Sequence, residues 1–163
     1  MSLSFNADEI LEIAQQIEQN GLNFYTAAAN AVAEPEAKEM LSSLARWEVE
    51  HEKLFREMRA GLTAGQKQPT VFDPEDEMAL YLKSTAANVV FTSKMDPVEM
   101  IGAAPTFRRI LEIALEREKD AVVFYAGVKG LVPDSLGRDR IEAIMQEEVS
   151  HVAMITRRLS EIG

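Results

Sequence analysis

The sequence predicts an all-α domain: four long helices paired as two antiparallel hairpins, joined by a partly helical crossover of about 45 residues. Three observations lead there. Four long segments repeat apolar residues at the spacing of one helix face. Strand signals are nearly absent, with few alternating β-branched runs and no hairpin turns. Short matches between the two halves of the chain recur at a single offset of 100 residues.

The elements follow in order. A first helix is predicted over about 6–33, where Pro35 breaks the pattern, and a second over about 36–60. Gly61, Gly65, Pro69 and Pro74 mark a loop. The stretch DPEDEMALYLKSTAANVVF predicts a shorter helix over about 74–91, with Asp73 as N-cap, Pro74 at its first position and acids in its first turn. Asp96, Pro97, Gly102 and Pro105 break the chain again. A third long helix is predicted over about 106–129, then the turn GLVPDSLG, then a last helix over about 135–160. The 163 residues fit one domain, 1–163, with a sizeable core.

Composition narrows the partners. The chain is 47% hydrophobic and 27% charged, an ordinary globular balance, and no apolar run reaches the roughly 20 residues of a membrane span. A net charge of −10 argues against nucleic acid and against anionic membranes. The start MSLSFNADEI lacks the basic and apolar regions of a signal peptide, and cysteine is absent, so a cytoplasmic location is expected. Without cysteine the chain holds no disulfide, thiolate metal site or iron–thiolate centre.

The repeat organises the rest. ILEIA at 10–14 returns at 110–114, FY at 24–25 returns at 124–125, Glu18 matches Glu118, and EVEH at 48–51 matches EVSH at 148–151. The offset is too long for a solenoid and fits two copies of one hairpin packed face to face about a pseudo-twofold axis. A heptad frame then gives four core stripes. They read Leu11, Ala14, Glu18, Gly21, Tyr25, Ala28, Val32; Leu41, Leu44, Glu48, His51, Phe55, Met58; Leu111, Ala114, Glu118, Ala121, Tyr125, Val128; and Ile141, Ile144, Glu148, His151, Ile155, Arg158. Four carboxylates and two imidazoles therefore point into the bundle.

Their levels agree. Glu18 lies 17 residues before Pro35, with Glu48 and His51 lying 13 and 16 after it. Glu118 and Glu148 each lie 15 residues from Pro133. At about 1.5 Å rise per residue all six converge near mid-bundle. Four buried unpaired carboxylates would each cost several kcal/mol or take up a proton. No Lys or Arg shares the stripes near them, whereas two divalent cations balance the charge and let each histidine bind neutral. The two Glu-x-x-His motifs, with one further Glu from each preceding helix, match a carboxylate-bridged dimetal arrangement. A metal-free polar network is the alternative.

These motifs resemble the ferritin-like superfamily, and EQNGLNFY, WEVEHEKLF, EREKDAVVFY and EEVSHVAMI are similar to the helix signatures of rubrerythrins. The resemblance implies a four-helix bundle holding two iron ions on Glu18, Glu48, His51, Glu118, Glu148 and His151. Glu48 and Glu148 would bridge the ions and Glu18 and Glu118 would be terminal. Rubrerythrins usually carry a cysteine-containing rubredoxin domain, which has no counterpart here, so a separate electron-donor protein is expected. Where rubrerythrins carry an additional Glu on the third helix this chain has Ala121, and the six-ligand set is closer to that of bacterioferritin. The methionine that bacterioferritin uses for haem is Val49 here, so no haem is expected.

Oxygen and nitrogen ligands suit iron or manganese, with zinc accessible on affinity. The implied function is a di-iron redox protein reacting a reduced metal pair with peroxide or dioxygen, as peroxidase or ferroxidase. It would work as a homodimer. An iron storage or sequestration subunit and a metal-free helical interaction module are the alternatives. Tyr25 and Tyr125, seven residues after Glu18 and Glu118, are candidates to hydrogen-bond ligand carboxylates or carry an electron; core packing is the plain alternative. Gly21 and Ala121, a turn from a ligand, either leave room for dioxygen or peroxide or let helices pack closely. Trp47 lies off the stripe and reads as packing.

Overall fold

Helix α1 (Ala7–Ala31) starts on a reciprocal cap. Asn6 Oδ1 accepts from the Glu9 N–H at 2.9 Å, and Glu9 Oε2 accepts from the Asn6 N–H at 3.0 Å. The helix ends at Val32, three residues link it to α2 (Pro35–Ala60), and Pro35 occupies the first turn of α2, where its missing N–H has no cost. The computed structural model describes residues 6–68, 77, 80–82, 84–85 and 96–163. Most of the shorter helix expected over 74–91 lies outside the described residues; 77, 80–82 and 84–85 are helical.

A short helix, α3 (Pro97–Ile101), follows where the sequence suggested only a break. Asp96 Oδ1 caps it by accepting from the Val98 N–H at 2.8 Å. The Asp-Pro signature that predicted a helix start at 73–74 recurs at 96–97, but five residues are too few for a periodicity to register. Helix α4 (Phe107–Lys129) is capped by Thr106, whose Oγ1 accepts from the Arg109 N–H at 3.2 Å. Helix α5 (Arg138–Glu161) starts three residues later than predicted. Asp134–Leu136 form a 3-10 turn instead, and Gly137 at φ 94° reverses the chain into α5, a conformation that side chains other than glycine rarely take.

Every residue of the first three predicted stripes is buried, and so are Ile141, Ile144, Glu148, His151 and Ile155 of the fourth. Arg158 is half-buried instead, stacked over the Phe107 ring at 5.7 Å and 3.4 Å from Glu36. The apolar residues form two clusters. One joins Phe24, Ala28, Leu41, Leu44, Ile110, Leu111 and Ile155; the other joins Ile10, Leu11, Phe55, Met58, Val128, Ile141 and Ile144. The first collects the C-terminal halves of α1 and α5 with the N-terminal halves of α2 and α4. The second collects the opposite halves. The helices thus form an antiparallel four-helix bundle, with the end of α2 and the start of α4 at opposite ends of it. Leu82 packs in the second cluster and Ile101 in the first, so the crossover touches both ends. Tyr81 adds a hydrogen bond from its hydroxyl to the Val123 carbonyl on α4. Among the described residues no helix is long and apolar enough to cross a membrane.

Candidate metal centre

Between the two apolar clusters lies a polar layer. Glu18 on α1, Glu48 and His51 on α2, Glu118 on α4, and Glu148 and His151 on α5 are all buried. They form two groups, Glu18–Glu48–His51 and Glu118–Glu148–His151, each with ligand atoms within 4.8 Å of one another. The i,i+3 spacing of each Glu and His on one helix puts both side chains on one face. The hairpin turns set the matching heights from α1 and α4.

Glu148 joins the two groups. Its Oε1 lies 2.9 Å from His51 Nδ1 and its Oε2 lies 3.0 Å from His151 Nδ1. One carboxylate thus directs one oxygen at each histidine. Only the His151 contact is a hydrogen bond; the Oε1 contact is an ion pair off the hydrogen-bonding direction, which leaves Oε1 a buried oxygen without a donor. His51 Nδ1 also sits 3.3 Å from Glu18 Oε2, and His151 Nδ1 sits 3.6 Å from Glu118 Oε2. Both rings turn Nδ1 inward, and they stack with centroids 6.1 Å apart.

The tyrosines cross between hairpins. The Tyr25 hydroxyl donates to Glu118 Oε1, and the Tyr125 hydroxyl donates to Glu18 Oε1. Each tyrosine holds the carboxylate of the opposite hairpin, which is the reciprocity a pseudo-twofold axis demands. Burial and the charges of Glu118 and Glu48 push the Tyr25 hydroxyl well above 10; burial and the charges of Glu18 and Glu148 do the same for Tyr125. Both remain protonated donors.

The side chains balance their charges with protons. Burial, then the charges of Glu18 and Glu118, push Glu48 well above the usual carboxylate range. Burial raises Glu118 to about 7. Burial would also raise Glu148, as would the Glu18 charge, but the His151 hydrogen bond and the close His51 imidazole prevail and hold it low. Burial opposes charge on the histidines too. Glu148 and Glu18 nevertheless raise His51 to about 11, and Glu118 and Glu148 raise His151 to about 9. A carboxyl that resists ionisation and an acceptor without a donor fit two cations with no change of residue. The donor set is oxygen and imidazole nitrogen, without sulfur.

Three features lay beyond sequence reasoning. Glu147 Oε2 is 2.7 Å from His51 Nε2, the nitrogen that faces away from the layer. Trp47 does more than pack at random, for its ring lies 6.4 Å from that of His51 and 6.1 Å from that of His151. The Trp47/Glu147 difference, one of several between the halves, was the sequence feature at both. The room that one reading of Gly21 left for dioxygen or peroxide is taken: a Cβ there would stand 2.6 Å from Glu48 Cδ, so the Glu48 carboxyl group occupies the glycine notch. Ala121 is buried beside Phe124 and Tyr125. A surface cleft of about 440 Å³ between α2 and α5, lined by Trp47, Glu50, Leu54, Ile144 and Glu147, reaches His51.

The Rubrerythrin family model matches residues 9–159. The chain belongs to the rubrerythrin family. This rubrerythrin-family chain also shares its fold with the crystal structure of a Thermotoga maritima protein named as a ferritin-like diiron-carboxylate protein. The TM-score is 0.71 over 98% of each chain, at 19% identity. That likeness shows the fold to be ferritin-like. A comparison with curated proteins gave no match. Family, fold and the two buried Glu/His groups together describe a metal-binding helical bundle of the di-iron type.

Proposed function

We propose that this chain is a di-iron redox protein that reacts with peroxide or dioxygen. Glu18, Glu48, His51, Glu118, Glu148 and His151 would hold the two ions. The observation that carries the reading is Glu148, one carboxylate with its two oxygens aimed at two different histidines. When bound, two redox-active ions supply the two electrons that reduction of peroxide to two waters consumes.

The chain's own residues do the rest. Tyr25 and Tyr125 keep their protons and hold Glu118 and Glu18 in orientation, so the terminal carboxylates meet a cation without rearranging. Glu48 gives up a proton as metal enters, as do both histidines, so loading releases protons. The apolar clusters above and below exclude water from the layer. The α2–α5 cleft admits a molecule as small as peroxide to the His51 side. A separate electron-donor protein and a homodimeric working unit are part of this reading, since these 163 residues hold no cysteine for an iron–thiolate relay.

The test is elemental analysis and the visible spectrum of aerobically purified protein, then peroxide added to the reduced form. Two irons per chain and reoxidation much faster than in Glu48→Ala support the reading. Reoxidation no faster than that control removes the enzyme; a very large cage on size exclusion, filled with iron, points to storage instead.

A further inference from the structure

The repeat keeps all six proposed ligands but not all of their neighbours: residue 47 is Trp where residue 147 is Glu. Glu147 precedes Glu148 on α5 and reaches across to α2, where its Oε2 lies 2.7 Å from His51 Nε2. His51 Nδ1 faces Glu18 at 3.3 Å and Glu148 at 2.9 Å. By the pseudo-twofold, the residue placed to meet His151 Nε2 is 47. An indole there, 6.1 Å from the His151 ring centroid, offers one N–H donor and no acceptor. It cannot take the imidazole proton.

We infer that Glu147 is a positioning residue that makes the two metal positions unequal, the one built on His51 binding more tightly than the one built on His151. This rests on the reading of the six side chains as ligands. The acceptor fixes the ring proton on Nε2, which leaves the Nδ1 lone pair facing the carboxylates, and it fixes the ring plane. A carboxylate partner also raises the basicity of the coordinating nitrogen. Among the described residues none offers His151 Nε2 such a partner, so this ring must settle its tautomer and angle at the expense of binding. Loss of such a partner weakens metal affinity by about 10–100-fold. The Glu147 side chain is 45% exposed, so screening by water places the effect near the low end, about 10-fold. The His51 position therefore fills first.

The experiment is a Co²⁺ titration of metal-free protein, followed by calorimetry and by the visible absorption of bound cobalt. Wild type takes up two ions in steps about 10-fold apart in affinity. In Glu147→Ala the tighter step weakens about 10-fold, the other stays, and the cobalt spectrum of the first ion changes. Glu147→Gln, which keeps a neutral acceptor, recovers part of the difference, an ordering a purely structural role would not produce. Trp47→Glu places a carboxylate opposite His151 and tightens the weaker step; it decides the matter if a thermal melt shows Glu147→Ala unfolded. Two equal steps in wild type, or a Glu147→Ala that moves both steps or neither, overturns the inference and leaves the ligand reading intact. No Co²⁺ uptake by folded wild type overturns both.

Discussion

Gly21→Ala separates the fold from the metal centre. An added Cβ would stand 2.6 Å from Glu48 Cδ and Oε2 and 2.8 Å from Oε1. Ordinary contact begins near 3.4 Å, so the carboxyl group must retreat by about 0.8 Å. The obstacle is the end of a side chain rather than backbone, so the helices need not move. Replacing Gly by Ala inside a helix gains about 1 kcal/mol, which shifts Tm by about 2–4 °C in a chain this long. Displacing the carboxyl offsets some of that gain, so metal-free stability should be unchanged or slightly higher. Metal binding should suffer, because losing what orients a ligating side chain costs about 10–100-fold in metal affinity. We expect Co²⁺ affinity to fall about 10–100-fold while Tm holds. Thermal melts of the metal-free protein and a cobalt titration measure the two quantities. Wild-type affinity in Gly21→Ala would show that the seat of Glu48 is immaterial. A stability loss beyond about 3 kcal/mol, three times the propensity gain, would show that Glu48 has nowhere to retreat. Either result refutes the reasoning.

The stability of the metal-free protein should decline with alkali. His51 and His151 are raised to about 11 and about 9, above the unfolded value of about 6.5, so protonation favours the fold. Their contribution is complete below about pH 6.5 and is lost as pH climbs through about 9 toward 11. Glu48, also raised, acts in the same direction from lower pH upward. Melts from about pH 6 to about pH 10 check this, and a Tm that rises over that range contradicts it. Tyr25→Phe and Tyr125→Phe each strip the hydroxyl donor from a buried carboxylate, Glu118 and Glu18 respectively. Each should cost about 1.5–3 kcal/mol in urea unfolding, and a wide disparity between the two would deny the pseudo-twofold. Arg59 binds Asp8 at 3.0 and 3.1 Å, tying the end of α2 to the start of α1 in a partly exposed pair. Arg59→Ala should cost about 0.5–1 kcal/mol, less at high salt; a salt-independent loss would argue for packing instead.

Much of the bundle was legible because its signals are local or repetitive. A period of 3.6 residues assigns the buried stripe of each long helix without knowledge of its neighbours. The constant offset then shows that Glu18 and Glu118, Glu48 and Glu148, and His51 and His151 occupy equivalent places. Burial of all six confirms that the stripes were read on the correct face. Other features failed for stated reasons. Helix α3 is shorter than the window in which a period can be recognised. The late start of α5 turns on the φ of one residue, Gly137. Gly21 left open space and close packing undecided, because sequence cannot show which side chain folds back into a notch.

What the sequence determined by itself is a set of faces: which side of each helix is oily, and which acids and imidazoles interrupt it. Those follow from the chemistry of each segment alone. Only the tertiary structure decided the pairings between segments far apart in the chain. Tyr25 with Glu118, Tyr125 with Glu18 and Glu147 with His51 depend on how one hairpin is seated against the other. That seating is a sum of many weak contacts across the bundle, and no single stretch of residues encodes it.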